Sequence, residues 1–291
     1  RGTPKRSQLT SIEECVNGQC LPKTEFEWQY NGGNGFLGEQ WQNDLGDDRK
    51  NRPIHKSGKH STIIDMNGDG LPDRIIDRNP SNDQQGIYVY LNTGSGFDSG
   101  QQWQNDLGDD WKNRPIYKGG EYSTLIDMNG DGLPDRVLDR NPSNQQGMYV
   151  YLNTGSGFDS GQQWQNDIGE DWKNRPIHKG GEYSTLIDMN GDGLPDHIFD
   201  RNPSDQQGIY VYLNTGSGFD SGQKWQNDLG EDWKNRPIHK SGKHSTLIDM
   251  NGDGLPDRVL DRNPSDQQGI YVYLNTGSGF DSGQQWQNDI G

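Results

Sequence analysis

The stretch STLIDMNGDGLPDRVLDR, residues 123–140, decides the fold. It opens on a short apolar run, Ser123–Met128. It then crosses a cluster of Asp, Asn and Gly and leaves through the alternating run Pro134–Arg140. Short apolar runs bounded by Gly, Asn, Asp and Pro read as strands joined by a turn. GMYVYLN, Gly147–Asn153, alternates aromatic and β-branched residues and reads as a third strand. A fourth, weaker strand is expected in GQQWQND or in NRPIYK. No ten-residue stretch has helical periodicity.

The same text recurs. DMNGDGLPD begins at Asp65, Asp127, Asp188 and Asp249, in steps of 62, 61 and 61 residues. WQND begins at Trp41, Trp103, Trp164, Trp225 and Trp286. Segments 103–163 and 164–224 differ at nine of 61 positions, so one fold must serve both. Three or four short strands per unit make one small sheet, which cannot bury both of its faces alone. Neighbouring units must therefore stack, with Trp and Tyr between the sheets. The expected fold is all-β: a β-propeller or open propeller-like array of about four 61-residue blades plus an N-terminal half blade.

The half blade is EFEWQYNGGNGFLGEQWQND, residues 25–44, which aligns with GIYVYLNTGSGFDSGQQWQND, residues 86–106. The repeat domain is thus expected over 25–291, with 1–24 as a separate N-terminal segment. The chain opens on half a unit and closes, at Gly291, just after the same half. That offset suits self-association to complete the array, or excision from a longer one. Arg1 in place of Met, with no signal peptide in view, reads as a cut.

Composition narrows the function. The chain carries 27 Lys and Arg against 43 Asp and Glu, a formal charge of −16, and only 27% hydrophobic residues. Such numbers ordinarily indicate disorder. Nine Trp, twelve Tyr and seven Phe, set in strict periodicity, argue against it. The acidic balance repels nucleic acid, and no partner of that class is expected. No run approaches the ~18 apolar residues of a membrane span.

The repeated loop carries the clearest chemistry. Oxygen donors fall at its positions 1, 3, 5 and 9, with a backbone carbonyl at 7. The candidate ligands are Asp65, Asn67, Asp69, Leu71 and Asp73 in the first copy and Asp127, Asn129, Asp131, Leu133 and Asp135 in the second. The third has Asp188, Asn190, Asp192, Leu194 and Asp196, and the fourth Asp249, Asn251, Asp253, Leu255 and Asp257. Alternating donors on a tight loop converge as a hard cation with about 6–8 oxygen ligands requires. Three carboxylates so close repel by roughly 1 kcal/mol per pair even in bulk water at ~4 Å, and a dication removes that cost. Ca²⁺ fits better than Mg²⁺, and Zn²⁺ is disfavoured for want of Cys or His. About four Ca²⁺ per chain are expected, in a structural role. A turn without metal is the alternative.

The order strand, DxNGDGxxD, strand, VYLNTGSGF resembles the FG-GAP/VCBS repeat, the blade module of integrin-α-like propellers. SIEECVNGQCLPKTEFEWQ, running into NGGNGF, resembles a segment beside such repeats in secreted bacterial proteins of the Rhs and insecticidal toxin-complex type. These resemblances imply a calcium-binding propeller and an extracellular or cell-surface, toxin-related setting. Family arrays usually close with six or seven blades, and four and a half units depart from that.

Cys15 and Cys20 bracket Val-Asn-Gly-Gln, and Asn-Gly is a strong two-residue hairpin signal. That register sets Cys15 opposite Cys20, within reach of a disulfide, which would indicate an oxidising compartment. Free thiols or a metal pair are the alternatives.

Other candidates compete with blander roles. Trp111, Trp172 and Trp233, in DWKNRP, stand where the first copy has Arg49. They could stack on a sugar face or simply pack between units. Arg140, Arg201 and Arg262, beside Asn-Pro-Ser, could contact a ligand or pair with nearby acids. The histidines exchange with Tyr or Arg between copies: His197 corresponds to Arg74, Arg136 and Arg258. That exchange argues for a planar surface or packing role rather than catalysis. Lys59 and Lys243 stand where Glu121 and Glu182 do, which spoils a shared acid catalyst. No catalytic residue is assigned. The expected function is a non-enzymatic interaction or adhesion scaffold within a larger secreted protein, its protein or glycan partner unspecified. The rivals are a multivalent lectin and a polysaccharide-active enzyme.

Overall fold

A computed structural model of the chain describes residues 61–78, 86–105, 123–140, 147–166, 184–201, 208–227, 245–262 and 269–288, together with four two-residue strands nearer the N-terminus. Those strands are β1 (Ser11–Ile12), β2 (Cys15–Val16), β3 (Gln19–Cys20) and β4 (Thr24–Glu25). β1 pairs with β4, and β2 with β3, both antiparallel. Cys15 lies opposite Cys20 in the backbone register, as the Asn-Gly turn predicts. Their side chains lie outside the described residues.

Among the described residues, the repeats form four four-stranded antiparallel sheets, each in simple sequential order. The first holds β5 (Ser61–Ile64), β6 (Asp73–Arg78), β7 (Gly86–Tyr90) and β8 (Gln101–Asn105). The second holds β9 (Ser123–Ile126), β10 (Asp135–Arg140), β11 (Gly147–Tyr151) and β12 (Gln162–Asn166). The third holds β13 (Ser184–Ile187), β14 (Asp196–Arg201), β15 (Gly208–Tyr212) and β16 (Gln223–Asn227). The fourth holds β17 (Ser245–Ile248), β18 (Asp257–Arg262), β19 (Gly269–Tyr273) and β20 (Gln284–Asn288). The fourth strand of each unit is therefore the QQWQN run. NRPIYK lies outside the described residues.

Residue character follows strand position. The inner strands are covered on both faces, so in the second sheet Val137, Leu138, Met148 and Val150 are all buried. The outer strand β12 buries one side chain, Trp164, and exposes Gln162, Gln163 and Asn166. One apolar residue among polar ones suffices for an edge strand, which is why this segment is hard to recognise from pattern alone. A bulge between Met148 and Tyr149 shifts its pairing with β11. Gly86, which opens the inner strand β7, lies close against the edge strand β8. Its φ is 130°, and a Cβ there would lie 2.1 Å from the Gln104 carbonyl oxygen.

The cores of the first three sheets are each completed by the next unit. Met66, Ile75, Ile87, Val89 and Trp103 cluster in the first sheet, and Leu125 and Phe158 of the second pack on them. Met128, Val137, Met148, Val150 and Trp164 likewise receive Leu186 and Phe219. Met189, Ile198, Ile209, Val211 and Trp225 receive Leu247 and Phe280. Each Trp meets its Phe edge-on, with ring centroids 6.1, 6.1 and 6.0 Å apart. This is the stacking that a one-sheet repeat requires. Trp103, Trp164 and Trp225 of WQND fill the space between sheets.

Candidate metal loops

The turn between the first two strands of each unit is built by its own side chains. In the second copy, Asp127 accepts hydrogen bonds from the Gly130 and Gly132 N–H groups, both at 2.8 Å. Asn129 Oδ1 accepts from Asp131 N, and Asp131 Oδ1 from Leu133 N. Asn and Asp close local turns in this way because their short side chains reach backbone donors two to five residues on. The glycines take positive φ, 77° at Gly130 and 86° at Gly132, which other residues rarely adopt. The other three copies repeat every one of these bonds.

Position 9 differs from the rest. Asp73, Asp135, Asp196 and Asp257 are fully buried, whereas Asp69, Asp131, Asp192 and Asp253 are exposed. Asp135 accepts from Met128 N at 2.8 Å and from Asn153 N at 2.7 Å. It thereby ties the loop to the turn after β11. Burial raises its pKa from 3.8 to about 6; the two backbone N–H groups oppose that rise, and the charges of Asp131 and Asp127 add to it. Asp196 is raised to about 6 for the same reasons, and Asp73 is raised as well. Fully exposed Asp249 shifts downward, held by the N–H groups of Gly252 and Gly254. The sequence treats the five donors as equivalent, but the fold separates a buried anchor from a solvent-facing rim.

The donor chemistry fits a hard cation: carboxylate and amide oxygens on one tight loop, with a buried carboxylate that its acidic neighbours destabilise. In the described conformation the loop is held by hydrogen bonds. Among the described residues, no three His, Cys, Asp or Glu side chains gather closely enough to hold a metal ion by themselves.

Leu71, Leu133, Leu194 and Leu255 enter the sequence argument only as carbonyl donors. Their side chains prove informative too. A Cβ built on Gly68 would lie 3.0 Å from Leu133 Cδ2, and Gly130 and Gly191 stand in the same relation to Leu194 and Leu255. The second, third and fourth loops thus each rest on the loop of the unit before. Two further contacts escape sequence reading. The Asn153 side-chain amide donates to the Met66 carbonyl at 2.8 Å, and Asn214 and Asn275 repeat this toward Met128 and Met189. The Arg136 guanidinium donates to Gln104 Oε1 at 2.6 Å and lies over the Tyr151 ring. Their recurrence at one unit's distance is the signal that could have found them.

His197 occupies the Arg136 position and is buried. Its Nδ1 lies 2.7 Å from Gln165 Oε1, and its ring stacks on Tyr212 and Phe199. Packing, not surface display, is its role. Arg140, Arg201 and Arg262 end β10, β14 and β18, and their side chains lie outside the described residues. Trp111, Trp172 and Trp233 lie wholly outside them.

No family model matches the chain. Over 222 residues it is 27% identical to a T-cell immunomodulatory protein homolog of Plasmodium falciparum (isolate 3D7), covering 68% of this chain and 29% of that protein. Over 146 residues it is 23% identical to the homolog from Plasmodium yoelii yoelii, covering 47% and 21%. The chain thus spans less than a third of these curated relatives. Among solved structures it resembles an Agrocybe aegerita lectin described for specific recognition of non-reducing terminal N-acetylglucosamine. The TM-score is 0.55 at 24% identity, covering 80% of this chain and 53% of the lectin. That likeness concerns the fold.

Proposed function

We propose that this chain is a non-enzymatic, extracellular interaction module: a propeller-like array of FG-GAP/VCBS type whose loops are stabilised by Ca²⁺. The observation that carries the reading is the repetition of one loop, bond for bond, in four stacked sheets. Such an array holds four near-identical surfaces in fixed relation. A partner with repeated epitopes would then be held by avidity rather than by one strong site. Cation binding to the folded loop alone would convert binding energy into folding energy. The disulfide between Cys15 and Cys20 and the toxin-related, secreted setting belong to the same reading.

The second reading is a multivalent lectin, supported by the fold likeness to a lectin. Trp111, Trp172 and Trp233 would supply the stacking faces, and Arg140, Arg201 and Arg262 the polar contacts. A glycan array probed with the parent chain and with the triple Trp→Ala variant separates the two. Binding lost in the variant favours the lectin. No glycan binding by the parent rejects it and leaves the protein-binding scaffold. Assays on polysaccharides are expected to show no turnover, and measurable turnover would overturn the non-enzymatic reading.

A further inference from the structure

Among the described residues, four large apolar side chains are exposed: Ile63 at 40%, Leu71 at 37%, Ile248 at 53% and Trp286 at 47%. All four sit at equivalents of positions that the internal interfaces cover. Leu125, Leu186 and Leu247 correspond to Ile63, and each packs into the core of the preceding unit. Leu133, Leu194 and Leu255 correspond to Leu71, and each rests on the preceding loop. On the opposite side, Trp103, Trp164 and Trp225 correspond to Trp286 and are buried beneath the Phe of the following unit. Around Trp286, Met250, Val259 and Ile270 are only half buried, where their counterparts in the other units are fully buried.

The two sets complement each other. One is the leading face of the first described sheet, the other the trailing face of the last. The polar part of the interface matches too. Among the described residues, the Asn92 side-chain amide reaches the Pro72 carbonyl at 3.1 Å, while Asn153 reaches both Pro134 and, across the interface, Met66. The carbonyl equivalent to Met66 on the trailing face is that of Met250. Gly252 is the counterpart of Gly68. A Cβ placed on it would meet nothing within 4 Å, so a leucine's place above it is open.

We propose that the trailing face at Ile248 and Trp286 receives the leading face at Ile63 and Leu71 of a second copy of this chain, reproducing the interface present three times among the described residues. The occupant follows from continuity: the surface fits the same repeat because it already holds it elsewhere. The contact is heterologous, so association proceeds head to tail and extends unless a ring closes. Each chain carries −16, and salt is expected to strengthen pairing by screening. The inference rests on neither the glycan nor the calcium reading.

Sedimentation velocity and native mass measurement on the full chain test it, from low to high concentration and at two salt levels. Mass is expected to rise with concentration. Two variants, Ile248→Asp with Trp286→Asp on the trailing face and Ile63→Asp with Leu71→Asp on the leading face, should each be monomeric alone. Mixed together, they should form a 1:1 complex and nothing larger, because each retains one competent face. These side chains are exposed, so folding should survive, and circular dichroism checks it. If either variant misfolds, Trp286→Ala and Leu71→Ser replace them. A parent chain monomeric at every concentration overturns the proposal. So does association that the leading-face variant leaves intact, which would mean trailing faces pairing with each other.

Discussion

The Asn153 side-chain amide lies 2.8 Å from the carbonyl oxygen of Met66, 87 residues earlier in the chain. The bond joins the turn after β11 of one sheet to the loop of the sheet before it, in a buried setting. Asn153 also accepts from the Gly155 N–H, so one side chain shapes its own turn and staples two units. Asn153→Ala leaves the Met66 carbonyl short of a partner, and a buried unsatisfied group costs about 1–3 kcal/mol. Denaturant melts should show destabilisation in that range for Asn153→Ala and Asn214→Ala. Asn92→Ala, whose amide has no such cross-unit bond among the described residues, should cost less.

Trp164 and Trp286 occupy the same place in the repeat. The first is 7% exposed and the second 47%. Trp164→Ala opens a cavity under Phe219 and should cost about 3–5 kcal/mol. Trp286→Ala should cost less than about 1 kcal/mol in the monomer, as surface changes do. Equal losses, read by chemical denaturation at low protein concentration, would contradict the burial difference.

The loops give a calcium prediction. Adding millimolar Ca²⁺ to chelator-treated protein should raise Tm, and titration should count about four ions per chain, one for each DxNGDGxxD loop. Asp131→Ala together with Asp192→Ala should halve that count. A Tm indifferent to chelator and to Ca²⁺ would remove the stabilising role.

Acidity offers a separate check. Asp135 and Asp196 titrate at about 6 in the folded chain, against 3.8 for the ordinary carboxyl. Between those values the folded state holds more protons than the unfolded state, so stability falls as pH rises. The proton-linked stabilisation is present below the ordinary value and lost as pH climbs through about 6. Metal-free protein should therefore melt higher at pH 5 than at pH 7, as scanning calorimetry would read. Asp135→Asn with Asp196→Asn should flatten that slope, and so should added Ca²⁺.

Much of this molecule is legible in its sequence. The steps of 61 and 62 residues require one fold used four times. The apolar runs Ser123–Ile126 and Gly147–Tyr151 become strands because their side chains suit pleated, buried surfaces, and the Asp, Asn and Gly of 127–132 turn the chain from the first of them into β10. These are local properties, carried by each residue's own backbone preferences and short-range hydrogen bonds. The oxygen-rich loops were legible for the same reason, since the bonds of Asp127, Asn129 and Asp131 span at most five residues.

What the sequence could not say is which member of a set of identical residues lies inside. Trp164 and Trp286 sit in nearly the same words, and Asp131 and Asp135 both read as ligands. Burial is a property of neighbours: Trp164 finds them in the next unit, and Asp135 in the turn after β11 of its own unit. Only the stacking of sheet on sheet buries Trp164 under Phe219 and sets Asn153 against Met66. Only that stacking leaves Ile248 and Trp286 uncovered at one end, since the last sheet has no successor among the described residues.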